Sequence, residues 1–246
     1  MSGTTRLGWL GVALTVVFFM GIASISGAAT IVVVTEDLGT TQNIVGITGF
    51  STLGSDMAGM SVAAFFSDGS AVTATWEAGP GGSGFASAFD AATDLGFSLT
   101  LTGDTFTSPW ALLNTSANSE VGLTALFIDG FPGDTVFDRT FNDLEGTPFS
   151  ALGADFNTGF TLPFIDFTVT ALYSDQVAIS GFAPVGDLFR FFTLDLGIPG
   201  GLLNTDGEFI YTADTDSIGL PPQVAEPGSL LLLGAGLAGL WYRRRR

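Results

Sequence analysis

No cysteine, no histidine and no lysine occurs in the 246 residues, and all 7 basic residues are arginine. Each absence removes a class of chemistry. Without histidine there is no imidazole base, no Ser-His-Asp triad and no imidazole metal ligand. Without cysteine there is no thiolate nucleophile, no disulfide and, with histidine also missing, no His/Cys zinc site. Without lysine there is no Schiff-base chemistry. Positive charge is confined as well. Arg6, Arg243, Arg244, Arg245 and Arg246 lie in the two end segments, so only Arg139 and Arg190 face 23 of the 24 acidic residues, a balance of −21 for the body. Such a surface repels nucleic acid and anionic lipid, favours solubility and collects divalent cations.

What is abundant is glycine and phenylalanine, 34 and 23 residues, with clear period-two patterning. Leu95, Phe97, Leu99 and Leu101 alternate with Gly96, Ser98, Thr100 and Thr102. Ile165, Phe167, Val169 and Ala171 alternate with Asp166, Thr168 and Thr170, and Val72, Ala74 and Trp76 with Thr73 and Thr75. That period marks half-buried strands. Further strands are expected over Ile44–Phe50, Met60–Phe66, Val121–Ile128, Gln176–Phe182, Leu188–Leu196 and Glu208–Thr212. Turn residues punctuate them at Asp68-Gly69, Gly79-Pro80-Gly81-Gly82, Pro132-Gly133-Asp134 and Pro199-Gly200-Gly201. No internal repeat and no amphipathic helix is legible in the body. The fold class expected for residues 30–220 is an all-β, antiparallel two-sheet sandwich of jelly-roll or immunoglobulin-like type. Its length suffices for one domain with its own core.

The two ends read differently. Residues 1–29 hold one early charge, Arg6, an apolar run from Leu7 to Ile25, and the small residues Ser26-Gly27-Ala28-Ala29. This is the layout of a secretory signal peptide, with its helix cleaved near Ala28 or Ala29. Residues 221–246 begin with the stiff pair Pro221-Pro222 and continue through Ala225-Glu226-Pro227-Gly228-Ser229. An apolar Leu/Gly/Ala run and Trp241-Tyr242 come next, ahead of the four arginines. Pro227 suits a helix start. A helix over Gly228–Tyr242 is about 22 Å long, short against a bilayer core of about 30 Å. The aromatic pair suits the headgroup region, and the arginines hold the C-terminus on the cytoplasmic side with the body outside.

Glu-Pro, a small-residue spacer, an apolar helix and an arginine cluster, in that order, resemble the PEP-CTERM sorting signal of Gram-negative bacteria. The usual Pro-Glu-Pro core reads Ala225-Glu226-Pro227 here. The resemblance implies export, a transient membrane anchor and processing by the membrane enzyme exosortase. It makes Glu226 and Pro227 the recognition residues, and Arg243, Arg244, Arg245 and Arg246 the membrane-retention cluster. It also implies a cell-surface or extracellular destination and an association with exopolysaccharide. Body stretches extend the likeness: Gly103-Asp104-Thr105-Phe106, Pro109-Trp110, Leu112 to Ser116, Ile128-Asp129-Gly130 and Ala213-Asp214-Thr215-Asp216-Ser217 are similar to a pattern found in many such proteins. Trp110 is then expected in the core.

Within the body, Asp214 and Asp216 are candidate calcium ligands, since hard oxygen donors at i and i+2 on a loop suit that ion. Asp206 and Glu208 are candidates to join them. The plain alternative is a solvated acidic turn, and no EF-hand spacing is present. No motif singles out a carboxylate pair for glycoside hydrolysis. Asn114-Thr115-Ser116 matches the glycosylation acceptor pattern and reads as a chance match. Gly79 to Gly84 lacks the lysine and helix of a phosphate loop. Two readings stand. One is an exported, non-catalytic surface or matrix protein with no cofactor other than the candidate calcium. The other is a secreted carbohydrate-binding module or weak glycoside hydrolase on a jelly-roll scaffold. Exposed aromatics on a sheet face favour the second, and a wholly Thr/Ser face the first.

Overall fold

A computed structural model describes residues 29–139, 153–162, 165–184 and 186–219. The expected signal helix, the C-terminal apolar helix, Glu226, Pro227 and the arginine cluster lie outside the described residues. Among the described residues no helix is long and apolar enough to cross a membrane.

Fifteen strands form the body among these residues. In chain order they are β1 (Thr30–Ile44), β2 (Gly46–Gly49), β3 (Ser61–Phe66), β4 (Ala71–Thr75), β5 (Glu77–Ala78), β6 (Ser83–Asp90), β7 (Leu95–Thr102) and β8 (Trp110–Asn114). Then come β9 (Leu123–Asp129), β10 (Thr135–Asp138), β11 (Asn157–Thr158), β12 (Phe167–Ile179), β13 (Leu188–Asp195), β14 (Phe209–Thr212) and β15 (Asp214–Gly219). They build two sheets. The larger runs β2-β15-β10-β13-β9-β3-β4, with β12 on β13 and β1 beyond β12. The smaller runs β11-β14-β8-β7-β6-β5.

Every strand pair is antiparallel except one. β1 lies parallel to β12 from Thr30↔Phe167 to Ile44↔Ile179, with a bulge between Asp37 and Thr41. This corrects the purely antiparallel expectation, in which residues 30–43 carried no strand at all. Most of β1 is apolar or β-branched but does not alternate, so periodicity does not reveal it. The two segments expected at Ile165–Ala171 and Gln176–Phe182 are one strand, β12, kinked where Asp175 takes φ 59°. The ladder to β13 keeps its register across that residue, from Ser174↔Phe191 to Gln176↔Phe189, so the strand stays continuous. Most of the alternating residues point as the period requires: Phe167, Val169 and Ala171 are buried, as are Leu95, Phe97, Leu99 and Leu101, whereas Ile165 lies ahead of β12 and is 40% exposed.

The two sheets share one hydrophobic core. A line of aromatic rings crosses it. Trp76 lies 5.2 Å from Trp110, Trp110 stacks 6.0 Å from Tyr211, Tyr211 stacks 5.9 Å from Phe192, and Phe192 stacks 5.2 Å from Phe137. Trp110 and Tyr211 belong to the smaller sheet, Phe192 and Phe137 to the larger, so this line joins the layers. Both indoles are buried with their N–H groups satisfied. Trp76 Nε1 donates to the Gly54 carbonyl at 2.7 Å and Trp110 Nε1 to the Ala213 carbonyl at 2.8 Å. Gly84 makes the first of these bonds sterically possible. A Cβ there would meet Gly54 O at 2.1 Å and Trp76 Nε1 at 2.2 Å. Gly84→Ala is therefore expected to cost about 1–3 kcal/mol through forced repacking, read as a lower urea midpoint with unchanged slope. An unchanged midpoint would show that the contact yields freely.

Candidate functional site

The body's two arginines are both engaged. Arg190 makes a two-pronged contact with Asp129, at 2.9 and 2.7 Å, and lies against the rings of Phe131 and Phe191. Arg139 bonds Glu36 on β1 and Asp155, with its guanidinium 5.6 Å from the Tyr173 ring centroid. Arg190 also reaches the buried Asp175 at 3.9 Å.

Several buried acids meet in one place. β10 and β15 run antiparallel with Asp138 opposite Asp214 and Val136 opposite Asp216. Alternate residues of a strand share a face, so this register sets Asp138, Asp214 and Asp216 side by side. A carboxylate oxygen from each lies within 4.8 Å of the others. The three residues are 1%, 2% and 1% exposed, and Asp187, just ahead of β13, is 1% exposed. Gly153 packs onto Asp138 so closely that a Cβ would meet its carbonyl and Oδ1 at about 2.5 Å.

Burial and crowding set the charge state. Desolvation pushes the Asp138 carboxyl up to about 10, and the neighbouring charges of Asp216, Asp187 and Asp214 add to it, together with a side-chain hydrogen bond to Asp216. Asp214 is raised to about 7, again mainly by burial. The Thr105 hydroxyl and the Thr215 N–H pull it back down, whereas the charges of Asp216 and Asp104 push it up. These bonds are short: Thr105 Oγ1 donates to Asp214 Oδ1 at 2.8 Å, as does the Thr215 N–H. Without a cation, such a cluster holds protons, because like charges this close in a dry site cannot all ionise. With one, the same oxygens can ligate it. Calcium–oxygen distances of about 2.3–2.6 Å place two ligand atoms at most about 5 Å apart, which the cluster meets. The carboxylates then supply three of the roughly 6–8 oxygens calcium takes.

This arrangement corrects the sequence-based expectation in two respects. Asp214 and Asp216 are neither on a loop nor in a solvated turn: they are buried in β15, between β10 and β2. Asp206 and Glu208 do not join them. Asp206 instead accepts the Leu203 N–H at 2.8 Å, and Glu208 is exposed on the approach to β14. The third member is Asp138, which nothing in the sequence paired with β15, since cross-strand register is a tertiary property. Asn114 is also placed. It is 2% exposed and its Nδ2 donates to Leu202 O at 2.8 Å, so it is no glycan acceptor in the folded chain. Trp110 is fully buried as expected. It bonds Ala213 while Thr105 bonds Asp214, so stretches singled out separately in the sequence converge at the head of β15.

No curated protein and no solved structure matches the chain. Residues 223–246 match the family described as the PEP-CTERM protein-sorting motif. The match covers Glu226, Pro227, the apolar run and the four arginines, and on it the chain carries a PEP-CTERM protein-sorting motif at its C-terminal end.

Proposed function

We propose that this is an exported, non-catalytic cell-surface or extracellular-matrix protein sorted by exosortase, with exopolysaccharide as the material it associates with. The observation that carries the reading is the sorting motif at residues 223–246. Export begins at the N-terminal signal, and the apolar segment then halts the chain with Arg243, Arg244, Arg245 and Arg246 inside and the body outside. A span this short is a marginal anchor, suited to a temporary stop. Exosortase acts near Glu226-Pro227 and removes the apolar segment and the arginines. The absence of histidine, cysteine and lysine supports a body without His-, Cys-, Lys- or zinc-based catalysis. Its acidity repels nucleic acid.

Mass spectrometry of the surface form tests this. The C-terminal peptide is expected to end near Ala225 to Pro227, and Glu226→Ala with Pro227→Ala is expected to leave the chain unprocessed in the membrane. Recovery of a peptide running from Leu230 to Trp241 in the mature surface form would reject processing.

A second reading concerns the body. Asp138, Asp214 and Asp216 support calcium as a structural ion, because three buried carboxylates converge while both body arginines are engaged with other acids. In this reading calcium and protons compete for the same oxygens.

A further inference from the structure

The loop that carries Thr105 also builds a surface pocket. It measures about 330 Å³ and is lined by Phe50, Ser51, Asp104, Phe106 and Thr107. It is shallow and largely open to solvent. Two chain segments form it, residues 50–54 after β2 and residues 103–109 between β7 and β8. Backbone hydrogen bonds lace them together: Thr105 N donates to Thr52 O at 3.0 Å and Gly54 N to Gly103 O at 3.1 Å. Asp104 folds its own loop, its Oδ1 accepting the Phe106 N–H at 2.8 Å and its carbonyl the Ser108 N–H at 2.8 Å. Below the pocket, the buried Thr105 hydroxyl ties the loop to Asp214.

Phe50 and Phe106 are each 49% exposed at this rim, although large apolar side chains are ordinarily drawn inward. Around them stand one carboxylate and two hydroxyls. No lysine, arginine or histidine lines the pocket. The chemistry is that of apolar ring faces beside hydroxyl-binding groups, in a rigid frame, on a body with a strong negative balance. An anionic ligand is repelled. A purely apolar one would leave Asp104, Ser51 and Thr107 facing it without exchange of hydrogen bonds.

We propose that this pocket binds one neutral sugar ring, with Phe50 and Phe106 against its C–H face and Asp104, Ser51 and Thr107 on its hydroxyls. Thr105 is a positioning residue: its bond to Asp214 holds Asp104 and Phe106 in place. The proposal rests on the exopolysaccharide part of the proposed function, to which it assigns a site, and is separable from sorting. Failure of sugar binding leaves the C-terminal peptide result unchanged.

The test is calorimetric titration of the full chain, in a non-glycosidic detergent, with neutral β-glucan and mannan hexasaccharides, an anionic alginate oligomer and choline. At least one neutral hexasaccharide is expected to bind, while alginate and choline do not. Phe50→Ala and Phe106→Ala are each expected to weaken binding at least tenfold at unchanged melting temperature, since both side chains are exposed. Asp104→Asn weakens it while keeping the turn. Thr105→Val weakens binding and lowers the melting temperature, whereas Thr105→Ser restores both. No binding of either neutral hexasaccharide at millimolar concentration would overturn the proposal. So would binding that survives both phenylalanine substitutions, or a preference for choline or alginate.

Discussion

Stability of the calcium-free chain is expected to fall as pH rises from 5 to 8, opposite to the usual behaviour of an acidic protein whose carboxylates are paired. The sign comes from Asp138 and Asp214. Both titrate near 3.8 when unfolded, but at about 10 and about 7 when folded. Between those values the folded chain holds more protons than the unfolded one, so raising pH favours unfolding. The loss begins above about pH 4, is complete for Asp214 near 7 and continues for Asp138 toward 10. Glu36 is also raised, chiefly by burial, and adds the same sign. The groups acting on Asp138 are Asp216, Asp187 and Asp214, and on Asp214 they are Asp216 and Asp104, with Thr105 and Thr215 opposing. The expected drop is on the order of a few kcal/mol, or roughly 5–15 °C in melting temperature.

Calcium makes the same experiment discriminating. Ligation needs deprotonated oxygens, so millimolar calcium is expected to restore the melting temperature at pH 8 and do little at pH 5. Asp214→Asn with Asp216→Asn should remove the calcium response, and Asp138→Asn should flatten the pH slope. A melting temperature that rises with pH in the absence of calcium would contradict the protonated cluster. A calcium-insensitive slope would leave the cluster as a proton-holding device only.

Trp110→Ala is expected to be the most destabilising single substitution in the core, by about 3–5 kcal/mol for the cavity alone. Trp110 touches Trp76 and stacks on Tyr211, so its removal opens the aromatic line that joins the sheets. It also strands the Ala213 carbonyl, for about 1–3 kcal/mol more. Typical domain stability is about 5–15 kcal/mol, so the variant should be largely unfolded or nearly so at 37 °C. Trp110→Phe keeps a ring and loses the hydrogen bond, and should cost less. Urea denaturation monitored by Trp76 and Tyr211 fluorescence measures both. A Trp110→Ala loss below about 1 kcal/mol would mean that the site collapses freely, against the close packing of protein interiors.

Strands whose side chains alternate strictly were legible because one of their faces is wet. β7, the first half of β12, and β4 have that character, and their buried residues, Gly96 apart, are those the period marks. β10 and β15 were not legible because they are central strands: every residue of β10 is buried, as are Asp214, Thr215 and Asp216. An Asp-Thr-Asp segment reads as surface, since unpaired charges are rarely buried. Hydrogen bonds from Thr105 and Thr215 to Asp214, and protons held by the crowded carboxyls, make the buried placement tolerable. β1 escaped notice for a different reason. Its partner β12 lies far along the chain and runs parallel to it, and parallel pairing leaves no hairpin turn to read.

The sorting motif is legible from residue order alone, because it is a local succession of residue types: Glu226-Pro227, an apolar run, then arginines. The sequence by itself determined which chemistries the body lacks, because composition needs no fold. It also determined the all-β class, because periodicity is local. Folding was needed to bring Asp138 to Asp214 and Asp216, to set one strand pair parallel, and to frame one pocket with Phe50, Phe106 and Asp104. Each depends on register or on loops brought together from distant segments, and long-range pairing is fixed by the packing of the whole core rather than by any single stretch.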